Sequence, residues 1–220
     1  MALPAEVVKS LDLLEPKTYK AAITGAEKGI WSVSIQEECD SLEENKTWTV
    51  VARPTHQRVL SGKYVFKIKT NSSGQLDRYK ACWVAQGFEQ KYSVDFKKTF
   101  VSVVKPISYR ALFAIACALN WQIDQMDVKT AFLYGKIDAE VYVELLPNLK
   151  SKYPVNRVCK LNKALYGLKQ APKIWYDTLC KELRALGFKN INKDYSIFVH
   201  EKKQLVISVY VDDLLIMGEN

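Results

Sequence analysis

The stretch that decides the fold is Leu205-Val206-Ile207-Ser208-Val209-Tyr210-Val211-Asp212-Asp213-Leu214-Leu215-Ile216-Met217. Two apolar runs, each typical of a buried strand, flank the acids Asp212 and Asp213, so the pattern predicts a hairpin with both acids at its bend. Asp is common in turns, and the pair alone would indicate an ordinary hairpin turn. Charge between two buried strands is unfavourable, however, unless a cation compensates it. The bend is therefore a candidate cation site.

A third acid, Asp127, ends another predicted strand, which runs from Trp121 to Asp127. Carboxylates without a neighbouring His or Cys suit hard, oxygen-seeking cations such as Mg²⁺. Two such ions held side by side are the usual means of in-line phosphoryl transfer, as in polymerases. We therefore predict that Asp127, Asp212 and Asp213 bind two magnesium ions, or manganese in their place, provided that the strands are neighbours in one sheet.

The composition is that of a globular protein with a basic surplus. Of the 220 residues, 48% are hydrophobic and 25% are charged, which excludes a disordered chain, and the net charge is +8. Residues 58–105 hold ten basic and three acidic residues and so carry most of this surplus. A concentrated basic segment predicts binding to a phosphate backbone; a solvated, lysine-rich surface is the alternative.

Neither a membrane anchor nor a disulfide framework is indicated. The longest apolar run, residues 111–119, is too short to span a bilayer, and residues 1–14 lack the pattern of a signal peptide. The five cysteines are scattered without a C-x-x-C pair, which favours a reduced, intracellular setting over disulfides or a zinc site. We accordingly predict an intracellular protein without a membrane partner.

Strands that alternate with long helices predict an α+β fold. Residues 1–30 are typical of a loosely held lead-in segment. A helical stripe of apolar residues begins at Trp31, and the runs 64–69 and 79–86 predict a hairpin. These elements place a helix and a hairpin ahead of the segment that carries the acids.

Two further helices are predicted in the second half of the chain. Ser108 is the predicted N-cap of the first, which runs to about Leu119 with Leu112, Ile115 and Leu119 facing inward. Pro172 suits the first turn of the second. The inward stripe of this second helix consists of Trp175, Leu179, Leu183 and Leu186.

Four longer motifs stand in order along the chain. They are Val65-Phe66-Lys67-Ile68-Lys69, Met126-Asp127-Val128-Lys129-Thr130-Ala131-Phe132-Leu133, Leu165-Tyr166-Gly167-Leu168-Lys169-Gln170-Ala171-Pro172 and Tyr210-Val211-Asp212-Asp213. Together they resemble the reverse transcriptase domain of copia-type LTR retrotransposons. The resemblance runs from about Glu15 to Asn220, and several independent motifs in register make it highly specific.

The resemblance implies the fingers and part of the palm of a right-hand polymerase, with a ferredoxin-like antiparallel palm sheet packed on two helices. Residues 31–105 would be the N-terminal helix and the fingers, and residues 106–220 the palm. The palm would be truncated after the Asp-Asp hairpin, with the thumb and the RNase H domain absent. The implied reaction is RNA-directed DNA synthesis, in which a two-metal site transfers a nucleotide from a dNTP to a primer 3′-hydroxyl.

The resemblance also implies roles for individual residues. Asp127, Asp212 and Asp213 would be the catalytic, metal-binding carboxylates, and the backbone carbonyl of Val128 would help to hold a metal ion. Phe132 would abut the sugar of the incoming nucleotide, whereas without the resemblance it would be read as a core residue. The other residues implied to bind the nucleotide are Gly167, Lys169, Gln170, Lys69 and Lys80. The residues implied to bind nucleic acid are Lys67, Arg78 and Tyr210.

The implied partners are an RNA or DNA template-primer, a dNTP and the rest of a Pol polyprotein, and the implied location is cytoplasmic, in virus-like particles. The oligomeric state stays open. Cys82 and Gln86 stand where the family commonly has basic residues, and residues 100–105 also depart from its pattern. Three hypotheses remain: an active polymerase module, a catalytically silent truncated remnant, and a nucleic-acid-binding protein without chemistry. We expect the isolated chain to be inactive because of the truncation.

Overall fold

The structure is a computed structural model that describes residues 15–97, 99, 101 and 103–219. These residues form a mixed α/β fold. The helices are α1 (Tyr19–Thr24), α2 (Lys28–Glu44), α3 (Pro106–Ala118) and α4 (Ala171–Ala185). The strands are β1 (Trp48–Ala52), β2 (Val59–Leu60), β3 (Gly62–Thr70), β4 (Leu76–Ala85), β5 (Gln122–Asp127), β6 (Tyr142–Glu144), β7 (Arg157–Leu161), β8 (Phe188–Ile191), β9 (Asp194–His200), β10 (Leu205–Tyr210) and β11 (Asp213–Gly218).

The largest sheet is antiparallel, with five strands in the order β5-β11-β10-β9-β8. β10 and β11 form the predicted hairpin, in which Tyr210 is opposite Asp213. On its other side β11 pairs with β5, from Asp127 opposite Asp213 to Gln122 opposite Gly218. The strands that carry the acids are therefore neighbours in one sheet, which confirms this part of the prediction.

A helix covers each face of this sheet. Because successive residues of a strand point to opposite faces, Val206 and Ile207 belong to different layers. Val206 lies in a small cluster with Leu112 and Ala116 of α3. Ile207 lies in the main core, which also contains Trp175 of α4. The sheet is thus held between α3 and α4.

The start of α3 differs from the prediction. The N-cap is Lys105, and Ser108 lies inside the helix, where its hydroxyl donates to Asp194 at 2.7 Å. Asp194 also accepts from the Lys105 N–H at 2.9 Å. A carboxylate from β9 therefore holds the start of α3 by accepting from the N-cap N–H and from a hydroxyl of the first turn.

The inward face of α3 is narrower than the predicted stripe. Leu112 and Ala116 are buried, whereas Ile115 is 45% exposed and Leu119 54% exposed. The helix is apolar around most of its circumference, and the sheet accepts the side that carries the small Ala116. The predicted stripe is therefore wrong at Ile115 and Leu119. The stripe of α4 is correct except at Leu186, which is 66% exposed.

The predicted strand that ends at Asp127 is β5, and it is exposed along its whole length. All six of its residues are exposed, and among the described residues it pairs with β11 alone. It is therefore an edge strand of the sheet. Its polar composition, Gln122-Ile123-Asp124-Gln125-Met126-Asp127, suits an edge, because charged side chains there discourage pairing with other chains.

Strands β3 and β4 form a two-stranded ribbon that α2 covers. Trp31 of α2 packs edge to face on Tyr79, with ring centroids 4.8 Å apart. The Ser34 hydroxyl donates to the Tyr79 carbonyl at 3.1 Å, and the Trp83 N–H donates to Glu38 Oε1 at 2.9 Å. Two side chains one helical turn apart thus satisfy backbone groups on the outer edge of β4.

A mixed sheet of strands β1, β7, β6 and β2 completes the molecule, with β2 parallel to β6. One continuous cluster of buried residues extends from Trp31 in α2 through Leu161 in β7 and Leu179 in α4 to Leu214 in β11. The two halves of the chain therefore share their main core.

The short elements α1, β2 and β8 have no counterpart among the predicted elements. Predictions that concern residues 1–14, Phe100, Ser102 and Asn220 lie outside the described residues. None of the helices within the described ranges has both the length and the apolar content needed to cross a membrane.

Candidate active site

Asp127 and Asp213 are directly opposite each other at the end of the β5–β11 pair. Opposite residues of antiparallel strands project to the same face, with Cβ atoms about 4.5–5.5 Å apart. Gln125 lies two residues before Asp127 on that face, and its Nε2 donates to Asp213 Oδ1 at 3.4 Å. Tyr210 is also opposite Asp213, and its side chain is 49% exposed. Two of the three predicted carboxylates are thus cross-strand neighbours.

Asp212 lies in the two-residue turn that joins β10 and β11. The other turn residue, Val211, has a φ of 58°, a left-handed conformation that glycine adopts freely and a β-branched residue rarely does. The Val128 N–H donates to the Asp212 carbonyl at 2.9 Å, and the Trp175 indole N–H donates to the Val211 carbonyl at 2.7 Å. These bonds attach the turn to the end of β5 and to α4.

A cleft of about 290 Å³ opens beside the turn. Asp127 and Asp212 both line it, whereas Asp213 does not. Its other charged lining residues are Glu37, Glu38, Arg78, Lys80 and Lys129. Acids of the sheet thus meet basic residues of the ribbon in one cleft. This arrangement suits an anionic ligand that carries a cation.

The possible metal ligands in this cleft are of the chemical type that magnesium prefers. The Asp127 and Asp212 carboxylates and the Val128 carbonyl offer oxygen atoms, which Mg²⁺ prefers, and Mg²⁺ commonly takes its remaining ligands from water and substrate phosphates. Across the described residues, no three His, Cys, Asp or Glu side chains come together closely enough to hold a metal ion by themselves. The donor set therefore fits a cation that a phosphate ligand helps to bind.

Tyr166 lies beside the acids, with Phe132 packed against it. Burial above all, and then the Asp212 carboxylate, raises the pKa of the Tyr166 hydroxyl to about 12. The hydroxyl is therefore protonated at neutral pH. The rings of Phe132 and Tyr166 meet edge to face with centroids 4.6 Å apart, and Phe132 is 9% exposed. Phe132 belongs to the core, and its contact with a nucleotide sugar stays a prediction.

Four of the five cations of the ribbon form two facing pairs. Lys67 is opposite Lys80, and Lys69 is opposite Arg78, so all four project to one face of the ribbon. Arg78 and Lys80 line the cleft with the acids. Lys67 and Lys69 do not line it, and Lys67 forms an exposed ion pair with Glu15 at 2.7 Å. Like charges that face each other favour an anionic ligand between or above them.

The loop before α4 touches the end of the ribbon at Gly167. This residue has a φ of 89°, and a Cβ added to it would lie 2.0 Å from the Ala85 carbonyl oxygen. The neighbouring Tyr166 carbonyl accepts a hydrogen bond from the Ala85 N–H at 2.8 Å. Only glycine combines this conformation with so close a backbone approach.

Lys169 and Gln170 hold the segment that follows β4. The Lys169 N–H donates to Gln90 Oε1 at 2.8 Å, and Gln90 Nε2 donates to Gln170 Oε1 at 2.9 Å. Gln170 Nε2 donates in turn to the Asp95 carbonyl at 2.9 Å, and the Gln170 side chain is buried. Neither residue lines the cleft that contains Asp127. Their predicted contact with the nucleotide stays a prediction.

A larger cleft, of about 850 Å³, shares Gln170 with this network. Its charged lining residues have both signs and include Arg58, Lys97, Glu140 and Asp177. It contains none of the three predicted site acids. The smaller cleft is therefore the better candidate for chemistry.

Several residues near the acids were not among the predicted site residues; besides Tyr166 and Gln125, they include Glu38 and Trp175. Glu38 of α2 lines the cleft, whereas the sequence indicated only an apolar stripe in this helix. Trp175 was predicted as an inward-facing residue, but its hydrogen bond to the turn was not. A buried Trp generally finds a partner for its indole N–H, which is the signal that could have indicated such a bond.

Comparison with known proteins agrees with the resemblance described from the sequence. Residues 45–220 match a family described as reverse transcriptase (RNA-dependent DNA polymerase). The chain is 38% identical over 218 residues to the retrovirus-related Pol polyprotein from transposon TNT 1-94 of Nicotiana tabacum, an alignment that covers 98% of the chain and 16% of that protein. It is 39% identical over 209 residues to the corresponding polyprotein from transposon RE1 of Arabidopsis thaliana, covering 94% of the chain and 14% of that protein.

A more distant relative is the transposon Ty1-MR1 Gag-Pol polyprotein of Saccharomyces cerevisiae. It is 27% identical over 212 residues, which are 94% of the chain and 11% of that protein. The chain thus spans at most 16% of the length of these three relatives.

Proposed function

The chain belongs to the reverse transcriptase (RNA-dependent DNA polymerase) family and to its copia-type Pol polyproteins, and from this premise we propose that it is the part of an RNA-directed DNA polymerase that holds the site of nucleotide addition. The observation that carries the proposal is the pairing of Asp127 with Asp213, beside a cleft that Asp127 and Asp212 line together with Arg78 and Lys80.

In this proposal residues 31–105 are the N-terminal helix and the fingers, and residues 106–220 belong to the palm. The β3–β4 ribbon is then the fingers hairpin, and the five-stranded sheet with α3 and α4 is the palm. The shared position of Arg78 and Asp127 in one cleft supports this assignment, because a nucleotide held there would touch both parts.

The reaction is attack by a primer 3′-oxygen on the α-phosphorus of a dNTP, with pyrophosphate as the leaving group. Asp127, Asp212 and the Val128 carbonyl would hold two magnesium ions, or manganese ions, with Asp213 beside them. When bound, such ions lower the pKa of the attacking hydroxyl and neutralise charge on the phosphates. Arg78 and Lys80 would neutralise the triphosphate further from the ribbon side of the cleft.

The remaining predicted residues would bind or position the substrates. Lys69 would add to the positive field over the triphosphate, and Phe132 would support the sugar pocket through Tyr166. Lys67 and the exposed Tyr210 would contact an RNA or DNA template-primer. Further residues that would position the nucleotide through the loop before α4 are Gly167, Lys169 and Gln170. The rest of a Pol polyprotein would supply the other parts of the enzyme inside the cell.

A second candidate function is nucleic-acid binding without chemistry. The observation that favours it is the basic face of the ribbon, where Lys67 faces Lys80 and Lys69 faces Arg78 independently of the acids. A catalytically silent remnant would keep this face and bind template-primer in a salt-dependent manner.

A primer-extension assay separates these functions. The full chain is incubated with poly(rA)/oligo(dT), dTTP and either Mg²⁺ or Mn²⁺, and it is compared with Asp212→Asn and with the exposed control Asp177→Asn on α4. Polymerase function predicts extension by the unchanged chain and by the control, and a loss of about 100-fold or more in Asp212→Asn. Extension that survives in Asp212→Asn contradicts the proposed site. Salt-dependent binding without extension favours the second function.

A further inference from the structure

The turn that carries Asp212 is held by two consecutive carbonyl groups. The Val211 carbonyl accepts from the Trp175 indole, and the Asp212 carbonyl accepts from the Val128 N–H, at 2.7 and 2.9 Å. One tether comes from α4 and the other from the residue after β5. The turn is therefore fixed from both sides of the site.

The conformation of Val211 requires such support. A β-branched side chain at a φ of 58° is strained, and two-residue hairpin turns with a positive φ at the first position normally have glycine, asparagine or aspartate there. A strained residue persists only where the surrounding contacts determine it. The shorter of the two tethers is the indole bond, which acts directly on the carbonyl of the strained residue.

Trp175 is itself rigidly placed. It is 5% exposed, belongs to the main core, and packs against Tyr134 with ring centroids 6.1 Å apart. An indole held by packing offers its N–H at a fixed point, so it can impose a position on the turn.

We propose that Trp175 is a positioning residue for nucleotide addition: its indole N–H keeps Val211 in the left-handed conformation and thereby fixes the Asp212 and Asp213 carboxylates relative to Asp127. This inference rests on the proposed function for its catalytic consequence. Its structural content, the dependence of the turn on one hydrogen bond, is independent of that function.

The first measurement is amide hydrogen exchange at Val128, whose N–H donates to the turn. Trp175→Phe keeps an aromatic ring in the core but removes the donor. The matched control is Trp31→Phe in α2, because Trp31 is 2% exposed and its indole N–H has no hydrogen bond among the described residues. We expect exchange at Val128 to accelerate about tenfold or more in Trp175→Phe and to stay unchanged in Trp31→Phe. Equal exchange in the two variants overturns the inference.

The second measurement is primer extension by the same variants. We expect kcat to fall about tenfold or more in Trp175→Phe, with the KM for dTTP within about twofold, because the loss is in the placement of the carboxylates. An unchanged kcat overturns the inference. If the unchanged chain shows no extension, this agrees with the predicted inactivity of the isolated chain, and the exchange experiment decides on the role of Trp175.

If Trp175→Phe does not fold, 3-benzothienylalanine at position 175 replaces the indole N–H by sulfur at nearly constant shape. Faster exchange at Val128 in that variant supports the inference, and exchange equal to that of the unchanged chain overturns it.

Discussion

Lys67 and Lys80 face each other across the β3–β4 ribbon. Two lysines in this relationship repel, and the repulsion is relieved when an anion binds over the pair or when one charge is removed. The exposed ion pair of Lys67 with Glu15 offsets part of this repulsion, and the remaining positive charge suits a surface that binds phosphate.

Neutralising one member of this pair should weaken nucleic-acid binding without unfolding the protein. In Lys80→Gln we expect weaker binding to a template-primer and a log–log salt slope that is smaller by about 0.7–0.9, the value for one lost phosphate contact. The control is Lys202→Gln in the exposed β9–β10 turn, which should keep both the affinity and the slope. Fluorescence anisotropy between low and moderate salt measures both quantities, and an unchanged slope in Lys80→Gln contradicts the prediction.

The three acids should differ in importance. Asp212 lines the cleft, whereas Asp213 does not and accepts a hydrogen bond from Gln125. We therefore expect Asp213→Asn to lower primer extension by about 10–100-fold, as for a residue that orients a metal ligand, and Asp212→Asn to lower it further. Single-turnover extension rates at saturating dTTP compare the two. Equal losses would place Asp213 among the direct ligands.

Asp194 should stabilise the fold in a pH-dependent manner. Burial works against its charged form, but hydrogen bonds from the Lys105 N–H, the Ser108 hydroxyl and the Ser196 N–H outweigh burial and lower its pKa below the ordinary 3.8. A lowered pKa gives stability that is present above the ordinary pKa and is lost as the pH falls through the pKa of the folded state.

We expect Asp194→Ala to cost about 1–3 kcal/mol at pH 7, because it leaves the buried Ser196 N–H and two partly buried donors without an acceptor. Urea unfolding at pH 7 and at pH 3 measures the difference, which should shrink at the lower pH. The exposed Asp138→Ala is the control. A cost that is the same at both pH values would rule out the charged form as its source.

The charge on Glu38, unlike that on Asp194, should lower the stability of the fold at neutral pH. Burial raises its pKa above the ordinary 4.5, although the Trp83 N–H and Lys80 partly offset the effect. The pKa of Glu38 is thus higher in the folded protein than in the unfolded chain. The fold therefore loses stability as the pH rises from 4.5 through the pKa of the folded state. Glu38→Gln removes this charge but keeps an oxygen to accept from Trp83.

We therefore expect Glu38→Gln to be more stable than the unchanged chain at pH 7 and equally stable near pH 4, by urea unfolding. Glu37→Gln, at the exposed neighbouring position, should have little effect at either pH. A loss of stability in Glu38→Gln at pH 7 would show that the charge itself is required at the ribbon edge.

Two glycines provide a matched test of the loop before α4. Gly167→Ala forces a side chain into a positive φ and against the Ala85 carbonyl, and the strain alone should cost about 1–3 kcal/mol. Gly29 lies in α2, and apart from its chain neighbours and its own helix backbone no atom lies within 4 Å of a Cβ built on it. Gly29→Ala should instead stabilise the protein by about 0.5–1 kcal/mol. Thermal unfolding of both variants checks the signs, and a neutral Gly167→Ala would contradict the close approach.

The sequence predicts the sheet better than it predicts which sides of the elements are buried. The hairpin at Asp212 follows from the two continuous apolar runs that flank the acids. Its pairing with the strand of Asp127 was the condition under which the three carboxylates could share cations, and the structure meets that condition. The inward face of α3 does not follow, because Ile115 and Ala116 are both apolar and only the shape of the opposing sheet decides between them.

The sequence predicts which acids form the candidate site but not how they are arranged in space. Residue types show that Asp127, Asp212 and Asp213 suit a hard cation. They do not show that Asp212 lies in the cleft and Asp213 beside it, since this depends on the backbone of Val211. A positive φ is unexpected at a β-branched residue, and the bond that supports it comes from Trp175, which is remote in sequence.

The shared core has a consequence for how the protein is made. Because one buried cluster extends from Trp31 to Leu214, the interior begun by α2 can close only after β11 has left the ribosome. The two halves of the chain are therefore a single folding unit, and neither is expected to be soluble when produced without the other.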